Sequence, residues 1–413
     1  MVLGLVFTGI SAVKYPVEVE VSGTAYFVAV LDEEGIDLAG TIKDFSVKLL
    51  PTSGSKEGVG IKVSFDTTKS EPLSSIEVTT PLLDLGYYRS ACNADDYVFY
   101  GVGSRHIALT PKLGLPGIGL TVYFADIVDE VDLNEATPDN NPYFDDAVGL
   151  KVSVTNLDFF DITFFGAFYD TDTDPATSSY GYAAHLNLTG KDVLSGLALN
   201  FAFASEEATL KYLVEASYSK SFTFDPVTVT LSPYFVYSEG APKFYKRSDG
   251  VNWDKKFFQI GVSAEAKIVE GLKIFGKVTP KYDLEGADFS LYAESGLSYS
   301  SAFATANAKI SWSDALASAT NFVVTGDVKV TAVEGLALMA RAKYENANAK
   351  FGYNVEAAYT YGPLTLGVFY GTLETPYNLD ENKLESIAFP SSGNADILNA
   401  ATWFVYLKTT LAF

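Results

Sequence analysis

From Pro16 onward, apolar and polar side chains alternate with a period of two and hardly stop doing so. Val17, Val19, Val21, Ala25 and Phe27 share one face, against Glu18, Glu20, Ser22 and Thr24 on the other. Val59, Ile61, Val63 and Phe65 oppose Lys62, Ser64 and Asp66, and Val148, Leu150, Val152 and Val154 oppose Gly149, Lys151, Ser153 and Thr155. The pattern recurs at Tyr180–Leu188, Leu197–Phe203 and Phe258–Ile268. A period of two sends successive side chains to opposite faces of a strand. No comparable stretch carries a 3.6-residue stripe, so the chain is predicted to be all-β.

The strands come in pairs. Short turns precede an apolar restart at Ser195-Gly196-Leu197, Asp225-Pro226-Val227, Glu270-Gly271-Leu272, Glu334-Gly335-Leu336 and Gly362-Pro363-Leu364. Between restarts lie a strand, a variable polar segment and a second strand. The longer segments are Ile127–Asp146, Asp170–Ser179, Glu239–Lys255 and Glu374–Ala400. Tight turns on one side and long loops on the other predict an up-and-down antiparallel β-barrel with an even number of strands, about 18–22. The region Pro81–Pro116 does not parse cleanly into strands. With no Gly/Ser-rich linker or charge block to divide them, residues 13–413 are read as one barrel domain. Residues 1–12 are apolar and rich in small residues but lack a basic start. They fit the tail of a secretory signal peptide ending near Ala12, or else an N-terminal strand.

The last stretch sharpens the picture. Trp403, Val405, Leu407, Thr409, Leu411 and Phe413 form an almost wholly apolar face with an aromatic residue at each end. The other face, with Phe404, Tyr406, Lys408, Thr410 and Ala412, is mixed. Aromatic–apolar–aromatic order suits a strand that crosses a bilayer with rings at both interfaces. A terminal strand of this kind resembles the assembly signal of bacterial outer-membrane β-barrels, carried here by Trp403, Leu407, Leu411 and Phe413. The resemblance implies a transmembrane barrel in the cell outer membrane, inserted by the barrel-assembly machinery. In the porin superfamily it further implies a homotrimer that works as a diffusion channel.

Composition agrees with this reading. Of 413 residues, 48% are hydrophobic and 14% aromatic, yet no run of about eighteen apolar residues offers a helical membrane span. A net charge of -22 argues against nucleic-acid binding, which leaves a basic footprint. The single cysteine, Cys92, rules out an internal disulfide, and His106 and His185 are too few for a His-rich metal site. Two Met and one Gln, at position 259, suggest a thermophile.

Two charged groups are candidates for the pore constriction. Ile127–Asp146 holds Asp129, Glu130, Asp132 and Glu135 without a base, while Lys273, Lys277, Arg341 and Lys343 fall on the polar phase of their strands. The arrangement resembles the eyelet of general porins, where an inward-folded acidic loop faces a basic wall. A solvated outer loop and scattered lumen lysines are the plainer reading. The acid spacing matches no EF-hand. Asp170, Asp172 and Asp174 lack the Gly and distal Glu of a calcium loop. No nucleophile–base motif, Walker loop, dinucleotide fingerprint or zinc spacing occurs, so neither an enzyme nor a cofactor is expected. Phe159, Phe160, Tyr169, Tyr180, Tyr299 and Tyr361 near strand ends fit interfacial girdles. Phe165, Phe275 and Tyr292 point inward and suit packing, or else a sugar-binding stripe. Lipid, small hydrophilic solutes and ions are the expected partners. An oligosaccharide-specific channel and a surface adhesin are the alternatives.

Overall fold

A computed structural model describes residues 17–31, 35–51, 59–65, 72–126, 147–170, 180–206, 209–240, 255–317, 321–347, 350–372 and 401–412. Among the described residues the expected alternation folds as strands, with one 3-10 turn at Asp192–Leu194. The wall begins with β1 (Val17–Leu31), β2 (Ile36–Pro51), β3 (Gly60–Phe65), β4 (Leu73–Thr79), β5 (Leu83–Tyr88) and β6 (Arg105–Pro111). It continues through β7 (Ile118–Asp126), β8 (Ala147–Val154), β9 (Phe160–Asp170), β10 (Tyr180–Gly190), β11 (Leu197–Glu206) and β12 (Thr209–Tyr218). Next come β13 (Lys220–Phe224), β14 (Val227–Glu239), β15 (Lys256–Val269), β16 (Leu272–Asp283), β17 (Asp288–Ser300) and β18 (Ala304–Trp312). The circuit ends with β19 (Phe322–Val333), β20 (Leu336–Glu345), β21 (Lys350–Tyr361), β22 (Leu364–Thr372) and β23 (Ala401–Ala412).

Apart from β12 and β13, each described strand pairs antiparallel with its chain neighbours, and β23 closes on β1 from Thr24↔Ala412 to Leu31↔Val405. The sheet has 23 segments but an even number of staves. β12 and β13 both pair with β14, and the register from Ser217↔Tyr234 to Lys220↔Leu231 runs on without a shift. At the break, Ser219 still donates its N–H to Gly196 O at 2.9 Å, and its hydroxyl meets Ser232 Oγ at 2.9 Å. They are one strand, which leaves 22 staves among the described residues, within the expected range.

Turns are short on the side where β1 begins and β23 ends, as at Glu270-Gly271 and Glu334-Gly335. Gly271 and Gly335 have φ of 81° and 76°, a left-handed conformation that a side chain would strain. The long connections expected from the sequence all leave the opposite rim.

The two faces of the sheet differ as the alternation requires. Along β22, Leu364, Leu366, Val368 and Tyr370 are exposed while Phe369 between them is fully buried. Outward Phe258, Ile260 and Val262 on β15 continue past a bulge near Lys267 to exposed Val269. At about 3.3 Å per residue that run is about 36 Å long. At a barrel tilt of about 40° it rises about 28 Å, close to the height of the apolar band that barrels present to lipid. A bulge in β2 opposite Ser22/Thr24 keeps the outward set continuous, from Leu49 and Val47 to Leu38 and Ile36. Exposed apolar surface this extensive has no place on a water-soluble monomer.

Trp403, Leu407 and Leu411 of the last strand are outward, at 39%, 42% and 50% exposure, and Tyr406 is buried on the lumen side. Phe413 lies outside the described residues. The Tyr406 ring crosses the wall over its pairing partner Gly367, where a Cβ would fall inside the ring. The hydroxyl donates to Glu356 on β21. This clasp ties the closing strand to its neighbours from within.

Outward and inward substitutions should therefore separate cleanly. Val368→Arg on the outer face should lower stability by about 2–4 kcal/mol, read from urea titration of the barrel refolded into lipid vesicles. Inward Lys408→Ala should leave the midpoint nearly unchanged. Equal losses would mean that the strand phase is reversed.

Candidate functional site: a segment folded into the lumen

The inner face is built from short polar groups and ion pairs between adjacent strands. Hydroxyls meet across strands at Ser22–Ser46 (2.9 Å), Thr110–Thr121 (3.0 Å), Ser221–Thr230 (2.8 Å) and Thr360–Thr365 (3.0 Å). Lys62–Glu77 (3.2 Å), Lys112–Asp84 (2.9 Å) and Lys191–Asp161 (3.2 Å) pair in the same way. At this exposure each pair contributes about 0–1 kcal/mol, so their consequence is a wall of alternating sign rather than stability.

Between β5 and β6 the chain does not turn back at the rim. Arg89–Ser104 enters the lumen and folds there as a small hairpin, with Cys92 and Val102 exchanging backbone hydrogen bonds at 2.8 and 3.1 Å. Asp95 Oδ1 accepts from the N–H groups of Tyr97 (2.9 Å) and Val98 (3.1 Å), an Asx turn that starts the reversal. Cys92, Val98, Phe99 and Val102 are at most 1% exposed. They pack on Ala125, Ala147, Phe165, Tyr169 and Ala202 of the inner wall. The alanines leave the room that Phe99 fills, and its ring lies 5.3 Å from that of Phe165.

Polar contacts fix the position of the segment. Asp95 Oδ2 lies 2.7 Å from His185 Nδ1, with both side chains nearly buried. His185 Nε2 faces Asn200 Oδ1 at 3.2 Å, so both ring nitrogens meet oxygens. Tyr97 stacks on the His185 ring at 4.1 Å and donates its hydroxyl to Glu215 on β12. Lys151 Nζ reaches Ala94 O at 3.4 Å, and His106 Nδ1 lies 2.9 Å from Ser90 O. The two histidines of the chain thus both hold this segment. Burial pushes the Cys92 thiol up to about 12, against a weaker opposing hydrogen bond from the Ala94 backbone.

Where the segment ends its contact with the wall, a cavity of about 690 Å³ opens between Asp96 and Tyr97 on one side and Tyr234, Gln259 and Lys277 on the other. Gln259 Nε2 donates to Tyr234 Oη at 3.0 Å, and Tyr234 Oη meets Thr279 Oγ1 at 2.8 Å.

The acidic set Asp129, Glu130, Asp132 and Glu135 lies outside the described residues. The basic set is on the inner face, since Ile274 and Val278 are exposed outside and Leu338 likewise. Lys273 pairs with Glu265 at 3.2 Å, and Lys277 stands 5.6 Å from the centroids of Tyr234 and Tyr292. Arg341 is flanked in register by Asp327 on β19 and Asn354 on β21, and Lys343 by Thr325 and Gly352. Glu265, Glu294 and Asp327 are interspersed with the bases, so the wall is mixed rather than basic. Three strands separate β16 from β20, which keeps Lys273 and Lys277 apart from Arg341 and Lys343. Phe165 and Phe275 face inward as expected. Tyr169, expected at an interface, is instead 1% exposed, with its ring over Gly181.

No protein-family profile matches the chain, and no curated protein sequence does. Among solved structures it is similar to the outer membrane protein OpdK of Pseudomonas aeruginosa, at 9% identity over 96% of this chain and 99% of that one, with a TM-score of 0.34. OccAB2 of Acinetobacter baumannii gives 10% identity, 96% and 98% coverage and 0.34. OccK8 (OprE) of P. aeruginosa gives 9%, 96% and 98%, and 0.35. Identities and scores this low leave the reading of the chain to its own geometry.

The infolded segment was hidden within the region Pro81–Pro116 that the strand pattern does not resolve. Its signal was an apolar loop: Cys92, Val98, Phe99 and Val102 are too many buried-type residues for a rim connection. Asn93, Asp95, Gly101 and Gly103 among them mark a self-folded turn, with Gly101 and Gly103 at positive φ.

Cys92 reports on this packing. It should resist a maleimide in the folded barrel and react after denaturation. Asp95→Ala removes one partner of a buried pair, a loss of about 3–5 kcal/mol where both are charged, and should speed labelling at least tenfold. Equal labelling rates would mean that Asp95 does not hold the segment.

Proposed function

We propose that the chain is an outer-membrane channel through which small hydrophilic solutes and ions diffuse passively. The observation that carries this reading is the inversion of an ordinary β-protein: apolar side chains outside a closed sheet, hydroxyls and ion pairs inside it. In lipid the closed ladder satisfies every strand N–H and C=O. A surface adhesin would bury its apolar faces in a core instead. The segment Arg89–Ser104 narrows the lumen from one side, and fixed charges at the narrowest level set selectivity.

A more selective channel is the second reading, supported by the cavity beside Tyr97, which a wide unspecific pore has no need of. The eyelet belongs here too. Asp129, Glu130, Asp132 and Glu135 would face the inward Lys273, Lys277, Arg341 and Lys343, giving a transverse field. At about 10 Å and an effective dielectric near 20, each opposed pair is worth roughly 1.7 kcal/mol before screening. Assembly as a homotrimer, with Phe413 completing the signal of the last strand, is part of the same proposal.

The purified chain should raise the conductance of a planar lipid bilayer in discrete steps. No steps at any protein concentration would end the channel reading. In a salt gradient, Lys273/Lys277/Arg341→Ala should move the reversal potential toward cation preference. Asp129/Glu130/Asp132/Glu135→Asn/Gln/Asn/Gln should move it the other way. If neither shifts it, these charges do not face each other across the pore.

A further inference from the structure

The cavity between the infolded segment and the wall has a floor, two charged sides and a hydrogen-bonding rim, and together they specify a ligand. Its floor is Tyr234. The ring lies flat against its pairing partner Gly261, where a Cβ would fall within the ring. Gln259 and Thr279 hold the hydroxyl. One face of the ring is therefore spent on the backbone, and the other is turned toward the space it lines, where the Lys277 ammonium stands 5.6 Å from the ring centroid. A fixed aromatic plane of this kind stacks on flat, weakly polar surfaces.

The sides carry opposite charge. Asp96 and Glu215 line one end, with Glu215 already accepting from Tyr97. Lys277 lines the other, and among the described residues no carboxylate lies within ion-pairing distance of it. Its ammonium instead stands 5.6 Å from the Tyr234 and Tyr292 rings. An anion would meet Lys277 but be repelled by Asp96 and Glu215, and a cation would meet the reverse. Hydroxyl groups donate to carboxylates and accept from an ammonium, so a neutral polyol satisfies both ends without adding charge to the cavity. Serine hydroxyls and the Gln259 amide fill the rim between them.

We propose that this cavity is a binding subsite for a neutral carbohydrate, one face of a sugar ring stacked on Tyr234 and its hydroxyls shared between Asp96, Glu215, Gln259 and Lys277. The volume of about 690 Å³ lies within the range of about 300–1,000 Å³ usual for small-molecule sites. The subsite rests on the channel reading and gives it a substrate class. A sugar seated here would stand in the narrowed part of the lumen and interrupt the ion current while bound.

The test is single-channel recording in potassium chloride with maltose as the probe, and glycylglycine, a zwitterion that would also bridge both charged ends, as the rival. Wild type should show concentration-dependent interruptions with maltose and few with glycylglycine. Tyr234→Leu keeps an apolar side chain but removes the aromatic face. It should raise the half-blocking maltose concentration by about five- to tenfold, whereas Tyr234→Phe should stay within about twofold of wild type. Steady current untouched by maltose overturns the subsite while leaving the channel intact, and stronger block by glycylglycine overturns its carbohydrate chemistry. Block by maltose that is unchanged in Tyr234→Leu moves the sugar elsewhere and also overturns the proposal. If Tyr234→Leu does not assemble, the comparison of maltose with glycylglycine on wild type still decides. A bilayer with no current steps at all defeats the channel reading, and the subsite with it.

Discussion

Antiparallel pairing of the first strand with the last, Thr24↔Ala412 through Leu31↔Val405, leaves the sheet without an edge. Everything else depends on that closure. An open sheet of this size would expose rows of unpaired N–H and C=O groups, which lipid cannot satisfy and which other chains would pair with. Closed, the sheet has only two surfaces, and a period of two along each strand assigns every side chain to one of them. The apolar outer surface then requires a nonaqueous partner, and the polar inner surface is free to hold water. Tyr406 secures the closing strand from the lumen side, lying over Gly367 and bonded to Glu356 two strands away.

Inside, the same geometry makes room for function. Small residues on the inner wall, Ala125, Ala147 and Ala202, and large ones on the infolded segment, Phe99 and Val98, complement one another. The segment is therefore held by a local hydrophobic core, and a smaller buried cluster of Leu213, Val236 and Phe257 receives its Tyr97 on the neighbouring strands. Asp95 divides its two oxygens between the turn it starts and the wall it touches, which couples the fold of the segment to its position. The cavity opens beside Tyr97, between the segment and the wall residues Tyr234 and Lys277.

Much of this was legible in the sequence. Strand phase followed from alternation alone: Phe201 and Phe203 outside with Ala202 inside, or Ile274 and Val278 outside with Lys273 and Lys277 inside, needed no tertiary information. Strand number came close for the same reason, although the break at Ser219 splits one strand. The infolded segment was not legible, because its residues are read against no period and its buried aromatics resemble those of a wall strand. Tyr169 was misread because proximity to a strand end does not tell which face an aromatic residue occupies; its odd position beside outward Phe168 does. Which charges neighbour which was also beyond the sequence. Register puts Lys273 opposite Lys267 and diagonal to Glu265, with which it pairs, and register between strands is set by turns and bulges such as the one near Lys267.

The central claim is that one face of each strand meets lipid and the other meets water, and β16 tests it most directly. Spin labels placed singly at residues 273 to 278 in a Cys92→Ser background can be probed with oxygen, which concentrates in lipid, and with a water-soluble nickel complex. Accessibility to oxygen should peak at positions 274, 276 and 278, and accessibility to nickel at 273, 275 and 277, in strict alternation. Uniform accessibility along the strand, or the opposite phase, would contradict the account.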